Sequence, residues 1–205
     1  MRIPVTRERI ITAAAELVDS HGPDALVLSR LAETLDVRQS ALYKHVNGVD
    51  DVQHQLSLLA RQLLAEHLRA AAVGLAKDDA VIALADAWRS FVRSHPGLYA
   101  ITDRYPTAPH ADLVAAVGAV VDVINRVIAG YGLSADDSEQ AAWSLRSALH
   151  GFCVLEAQEG YPAGADPDRV YRRLVELLCA GVIGFLTPPA NGGDDGPVGE
   201  RDLSL

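Results

Sequence analysis

Six side chains able to hydrogen-bond crowd a window of eight residues: Arg38, Gln39, Ser40, Tyr43, Lys44 and His45. All six can donate, and none is acidic. Arg and Gln match the paired donors and acceptors on base edges in a DNA major groove, whereas Ser, Tyr and Lys suit phosphate oxygens. Ser29 and Ala41 complete the candidate DNA-binding set. The chemistry implied is recognition by charge and hydrogen bond. Sequence motifs for bond-breaking are missing: there is no Gly-x-Ser-x-Gly elbow, Walker loop, Gly-x-Gly-x-x-Gly turn or His-Glu-x-x-His pair. His150 and Glu156 stand six residues apart, so a helix does not bring them onto one face. The chain therefore reads as a non-enzyme without a cofactor or metal. Cys153 and Cys179 lie in apolar helical patterns without metal-ligand spacing, and read as buried free thiols.

Two short amphipathic helices must position the donor cluster. Leu28, Leu31, Ala32 and Leu35 share one face of the first, Val37 closes a tight turn, and Ala41, Leu42 and Val46 anchor the second. A helix braced in this way can lie in a major groove. Ahead of the pair, the pattern predicts a helix from Thr6 to Ser20, with Thr6 as N-cap and Gly22-Pro23 as its stop.

This stretch, from Thr6 to Val52, resembles the helix-turn-helix of the TetR family of transcriptional regulators. The likeness is carried by the first helix, Thr6-Arg7-Glu8-Arg9-Ile10-Ile11 through Glu16-Leu17-Val18, then Gly22, then Leu31-Ala32-x-x-Leu35-x-Val37, then Ala41-Leu42-Tyr43-x-His45-Val46. Asp36 stands in the turn where the family usually has Gly; Asp tolerates a left-handed backbone better than most residues. Val49, Asp50 and Asp51 stand where a Lys is common, which brings two carboxylates near the expected DNA surface. Later segments resemble a TetR-type subgroup: His95-Pro96-Gly97-Leu98-Tyr99, Leu149-His150-Gly151-Phe152 leading to Leu155-Glu156, and Gly160-Tyr161.

Net charge is −9, yet its distribution is uneven. Residues 1–47 carry six basic and six acidic side chains, and the rest carry 12 and 21. A basic face must therefore come from arrangement, with a modest field and salt-dependent affinity. The 205 residues, 49% of them hydrophobic, contain no apolar run of about 18 residues, so no membrane span is expected. Met1-Arg2-Ile3-Pro4-Val5-Thr6 does not read as a secretion signal, and a cytoplasmic location is expected.

Helical periodicity continues to about residue 186, without strand alternation. The expected fold is all-α. A three-helix helix-turn-helix domain (1–48) precedes a helical ligand-binding and dimerisation domain (49–186), and 187–205 reads as a disordered Pro/Gly/Asp tail. Helices are expected over about 49–72, 79–94, 98–102, 110–130, 134–159 and 166–185, the first of them a connector between reader and bundle.

A pocket is expected among the bundle helices, lined by Trp88, Phe91, Tyr99, Tyr105, Val117, Val121, Trp143 and His150, although each is also an ordinary core residue type. The stripes Ala141-Leu145-Ala148-Leu149-Phe152 and Val170-Leu174-Leu177-Leu178-Gly181-Val182-Phe185 suit either an intramolecular core or helix association. The resemblance implies a homodimer through these two helices, with Leu145, Leu149, Phe152, Leu174, Leu178 and Val182 at the interface. It also implies a DNA operator and a small-molecule effector as partners. A ligand-released repressor is the leading expectation; an activator, or a regulator without a ligand, stays open.

Overall fold

The computed structural model describes residues 4–185; the expected tail at 187–205 lies outside them. Nine α-helices and one 3-10 turn make up the described residues, among which there is no strand. They are α1 (Arg7–His21), α2 (Leu28–Thr34), α3 (Gln39–Leu42), α4 (Val49–Ala72), α5 (Lys77–Ser94), α6 (Pro96–Arg104), α7 (Ala111–Ala129), α8 (Ala135–Ala157) and α9 (Pro167–Gly184). The fold is all-α: a helix-turn-helix unit at the N-terminus followed by a helical bundle.

Local signals explain most boundaries. The Thr6 hydroxyl accepts the Arg9 amide at 3.2 Å and caps α1, while Ser134 and Asp166 cap α8 and α9 in the same manner. Gly22, with φ +80°, ends α1. Asp36 adopts the left-handed backbone that the turn between α2 and α3 requires, with φ +52°.

Two apolar cores share one connecting rod. The first packs Ile10, Ala14 and Val18 of α1 against Leu31, Leu42 and Val46, and it also takes in Leu98, Ile101 and Tyr105 from α6 and its exit, with Leu113 from α7. The second gathers Leu84, Trp88 and Phe91 of α5, Val120, Ile124 and Ile128 of α7, Leu145, Leu149 and Phe152 of α8, and Tyr171, Val175 and Val182 of α9. Helix α4, about 36 Å long at 1.5 Å per residue, gives Val52, Leu56 and Ala60 to the first core and Leu64, Ala65 and Leu68 to the second.

These cores correct the expected dimer face. Leu145, Leu149, Phe152 and Val182 are almost wholly buried within one chain, so they belong to its own core. Leu174 and Leu178 are half-buried against the same core. The large outward apolar residues are Val170, Leu177 and Ile183 on α9, Phe185 just past its end, and Trp143 and Leu155 on α8, with half-buried Ala148 and Gly151 also on α8. The outward stripe is thus rotated by about one residue, or 100°, from the inward one.

Candidate DNA-reading surface and ligand cavity

The reading surface is assembled from little. Helix α3 is one turn long, and Tyr43, Lys44 and His45 continue it as a turn, so the reader is shorter than the donor spacing suggests. Arg38 sits at its N-cap position. Leu42, fully buried, and Val46 hold it down. Ser29, Arg38, Gln39, Ser40, Tyr43 and Lys44 are exposed; Ala41 and His45 are half-buried. Gln39 Nε2 approaches the Tyr43 hydroxyl at 3.5 Å, a weak tether between neighbours on the same face.

Arg7 clamps the far end of the reader. Its guanidinium donates to the His45 carbonyl at 2.8 Å and, through both terminal nitrogens, to the Asp51 carboxylate at 3.1 and 2.5 Å. Asp51 also accepts the Asn47 amide at 2.9 Å. The Arg7 bond, helped by that amide, holds the Asp51 carboxyl below its usual range against the opposing cost of burial. The neighbouring Asp50 accepts the Tyr105 hydroxyl at 3.3 Å. Both carboxylates that stood near the expected DNA surface are therefore engaged with protein groups.

The second site is a cavity of about 620 Å³ between α4, α5, α6, α7 and α8, within the ordinary range for small-molecule sites. Of the expected lining, Trp88, Tyr99, Tyr105, Val117, Trp143 and His150 are present. Phe91 is not. It is 1% exposed and packs edge-on against Tyr99 and His67, so it serves as core. Val121 faces a separate cleft of about 430 Å³ between α7 and α8, which Trp143 also borders.

Polar groups in the wall form a chain. The Trp88 indole N–H donates to the Tyr99 hydroxyl at 3.1 Å, and that hydroxyl lies 2.7 Å from His150 Nδ1. The other ring nitrogen, Nε2, lies 3.7 Å from Asp103. Burial pushes the Tyr99 phenol well above its ordinary pKa, so it stays protonated.

Residue type alone gave no reason to single out Arg61. It is 6% exposed and donates to the Ser57 carbonyl and hydroxyl, to the Thr102 carbonyl at 2.9 Å and to Thr107 Oγ1 at 3.2 Å. It stands on the buried face of α4 with Ser57, Ala60 and Leu64, and a charged residue within that apolar periodicity was the available clue.

Helix α6 joins the two sites. Tyr99, Thr102 and Asp103 face the cavity. On the other side, the Asp19 carboxylate of α1 accepts the Leu98 amide at 2.7 Å and meets His95 Nδ1 at 2.8 Å, and Arg104 pairs with Asp24. Gly97 lies directly on the α1 backbone: a Cβ there would fall 1.8 Å from the Val18 carbonyl oxygen.

A helix-turn-helix unit joined through α4 and α6 to a helical bundle that holds a cavity is the architecture of a transcriptional regulator. The comparisons specify which. A model of tetracyclin repressor-like C-terminal domains matches residues 81–178. An uncharacterized HTH-type transcriptional regulator of Mycobacterium tuberculosis is 32% identical over 179 residues, spanning 87% of this chain and 82% of the relative. Tetracycline repressor protein class D of Escherichia coli is 33% identical over 91 residues, 44% of this chain and 36% of that protein. In fold, Streptomyces coelicolor ActR in complex with (S)-DNPA superposes with a TM-score of 0.66 over 89% of this chain and 98% of that one, at 18% identity. The chain belongs to the TetR family of transcriptional regulators.

Among the described residues no helix is long and apolar enough to cross a membrane, and no His/Cys/Asp/Glu group could hold a metal. Cys153 and Cys179 are buried free thiols, and burial pushes Cys153 up to about 12.

Proposed function

We propose that this chain is a cytoplasmic repressor that binds a palindromic operator as a homodimer and leaves it when a small apolar or aromatic molecule enters the 620 Å³ cavity. Residues 1–48 read DNA; residues 49–186 hold the effector and the partner subunit. One observation carries the proposal: α6 presents one face to the cavity and the other to the DNA-binding helices. A ligand pressing on Tyr99, Thr102 or Asp103 shifts α6 against α1 and the first turn of α4. In a dimer the two readers must match half-sites about 34 Å apart, so a small swing of each spoils the register without unfolding.

In this reading Arg38 and Gln39 meet base edges, while Ser29, Ser40, Tyr43, Lys44 and His45 serve phosphates, with Ala41 close to the duplex. The partner subunit packs on Val170, Leu174, Leu177, Leu178, Gly181 and Phe185 of α9, beside Ala148 and Gly151 of α8. A Cβ at Gly151 or Gly181 would meet open space, and small residues there let a second helix pair approach closely.

Linkage supplies the test. A ligand that releases DNA must bind the operator-bound protein more weakly than the free protein, by the same factor. Effectors are found by thermal-shift screening, and ligand affinity is then measured with and without operator. Equal affinities overturn ligand-released repression. Leu177→Asp should split the dimer and remove operator binding while the fold melts normally; a wild-type chain that sediments as a monomer at micromolar concentration overturns the assembly.

A further inference from the structure

The charges in the cavity wall do not balance. Arg61 is a buried cation whose acceptors are all neutral: the Ser57 carbonyl and hydroxyl, the Thr102 carbonyl and the Thr107 hydroxyl. Its guanidinium forms no ion pair among the described residues. Arg146, from α8, borders the same cavity with its guanidinium 5.1 Å from the Trp143 ring centroid, and likewise has no ion-pair partner among those residues. One carboxylate, Asp103, is in the wall, and it leans toward His150 Nε2 at 3.7 Å. His150 Nδ1 in turn lies 2.7 Å from the Tyr99 hydroxyl. Two guanidiniums against one carboxylate leave the wall with an excess of positive charge, in a chain whose net charge is −9. A buried cation is costly unless an anion meets it.

We infer that the ligand of this cavity is a monoanion, a carboxylate set on a flat apolar body, with the carboxylate between Arg61 and Arg146. The carboxylate supplies the counter-charge that the two guanidiniums lack beside the single carboxylate of Asp103. Guanidinium groups suit it because their planar forks meet a carboxylate with paired hydrogen bonds. The flat body follows from Trp88, Tyr99, Tyr105 and Trp143, whose rings wall the remaining space. The inference rests on the cavity being the effector site and names its ligand class.

Matched pairs test it. Benzoate, cinnamate and naphthoate, each beside its own primary amide, are titrated into the full chain at neutral pH by calorimetry. Quenching in a Trp143→Phe variant, which leaves Trp88 as the one tryptophan of the chain, places the binding in this cavity rather than in the neighbouring cleft. At least one acid should bind about tenfold more tightly than its amide, as expected for a hydrogen-bonded charge. Arg146→Gln should erase that preference and leave amide affinity unchanged, and Asp103→Asn should widen it. Arg61→Met should act as Arg146→Gln does wherever thermal melting shows that it folds. Amides equal to acids in every pair, no binding of any acid, or an undiminished preference in Arg146→Gln overturns the inference. Operator release is scored separately, on duplexes selected from random sequence. An acid that binds without releasing DNA defeats ligand-released repression but leaves the anion preference standing. An amide that binds equally well and releases DNA does the reverse.

Discussion

Helices α3 and α6 are both short, and they are built in opposite ways. Helix α3 leaves Gln39 and Ser40 exposed and is pinned by one fully buried side chain, Leu42. Helix α6 buries Gly97, Leu98, Tyr99 and Ile101, and is tied to neighbours at both ends. The donors of α3 face solvent, with one weak tether between Gln39 and Tyr43. The buried residues of α6 instead pack it into the interior, as the proposed coupling of cavity to reader requires. The contrast shows where stability and where specificity should respond to mutation.

The largest effect is expected in α6. In an ordinary helix Gly→Ala stabilises by roughly 1 kcal/mol. Gly97→Ala should reverse that sign and destabilise by about 3 kcal/mol, because the new methyl meets the Val18 backbone. Gly118→Ala on α7, where a Cβ meets open space, should follow the ordinary sign. Urea unfolding of both variants checks the pair, and a neutral Gly97→Ala would mean that α6 is not seated on α1. In α3, stability should barely move while recognition does. Gln39→Ala should relax discrimination at one base pair by about 1–3 kcal/mol, and Lys44→Ala should weaken all sequences alike, lowering the salt slope by about one. Binding to a library of duplexes at several salt concentrations separates the two outcomes.

The smallest effect lies at the Arg7 clamp, which ties the far end of the reader to the first turn of α4. Arg7 is 44% exposed, so Arg7→Ala should cost no more than about 1 kcal/mol. Its pH dependence is specific. The Asp51 carboxyl is depressed in the folded chain, so the clamp stabilises above the unfolded carboxyl value of about 3.9 and is lost as pH falls through the lower folded value. The difference between wild type and Arg7→Ala should therefore be full at neutral pH and vanish in acid. A difference that persists there would assign the effect of Arg7 to its His45 carbonyl bond instead.

How legible these parts were in the sequence follows from their physics. The first helix, the turn at Asp36, the cap at Thr6 and the helix starts at Ser134 and Asp166 rest on local backbone chemistry, and each was readable. The cavity was readable in part, because Trp88, Tyr99 and Trp143 are large and have few places to go, whereas Phe91 looked the same and went to the core. The outward stripe was misjudged because α9 is apolar on two faces. Tyr171, Val175, Cys179 and Val182 turn inward and Val170, Leu177 and Phe185 outward, and residue type alone does not rank one stripe above the other. Arg61 escaped notice because its role depends on Thr102 and Thr107, more than 40 positions away.

Arg89 adds a consequence for synthesis. It projects from α5, donates to Glu156 of α8 and to Asp168 of α9, and lies 4.4 Å from the Tyr171 ring centroid. These ties hold its guanidinium above its already high pKa, so it is a permanent cation. Its binding place is completed only once α9 has been made, more than 70 residues after Arg89 itself. Tyr171, Val175, Cys179 and Val182 of α9 also complete the core around Phe152 and Cys153. The bundle therefore closes only when its last described helix is in place, and a chain truncated before α9 should leave that core uncovered and aggregate.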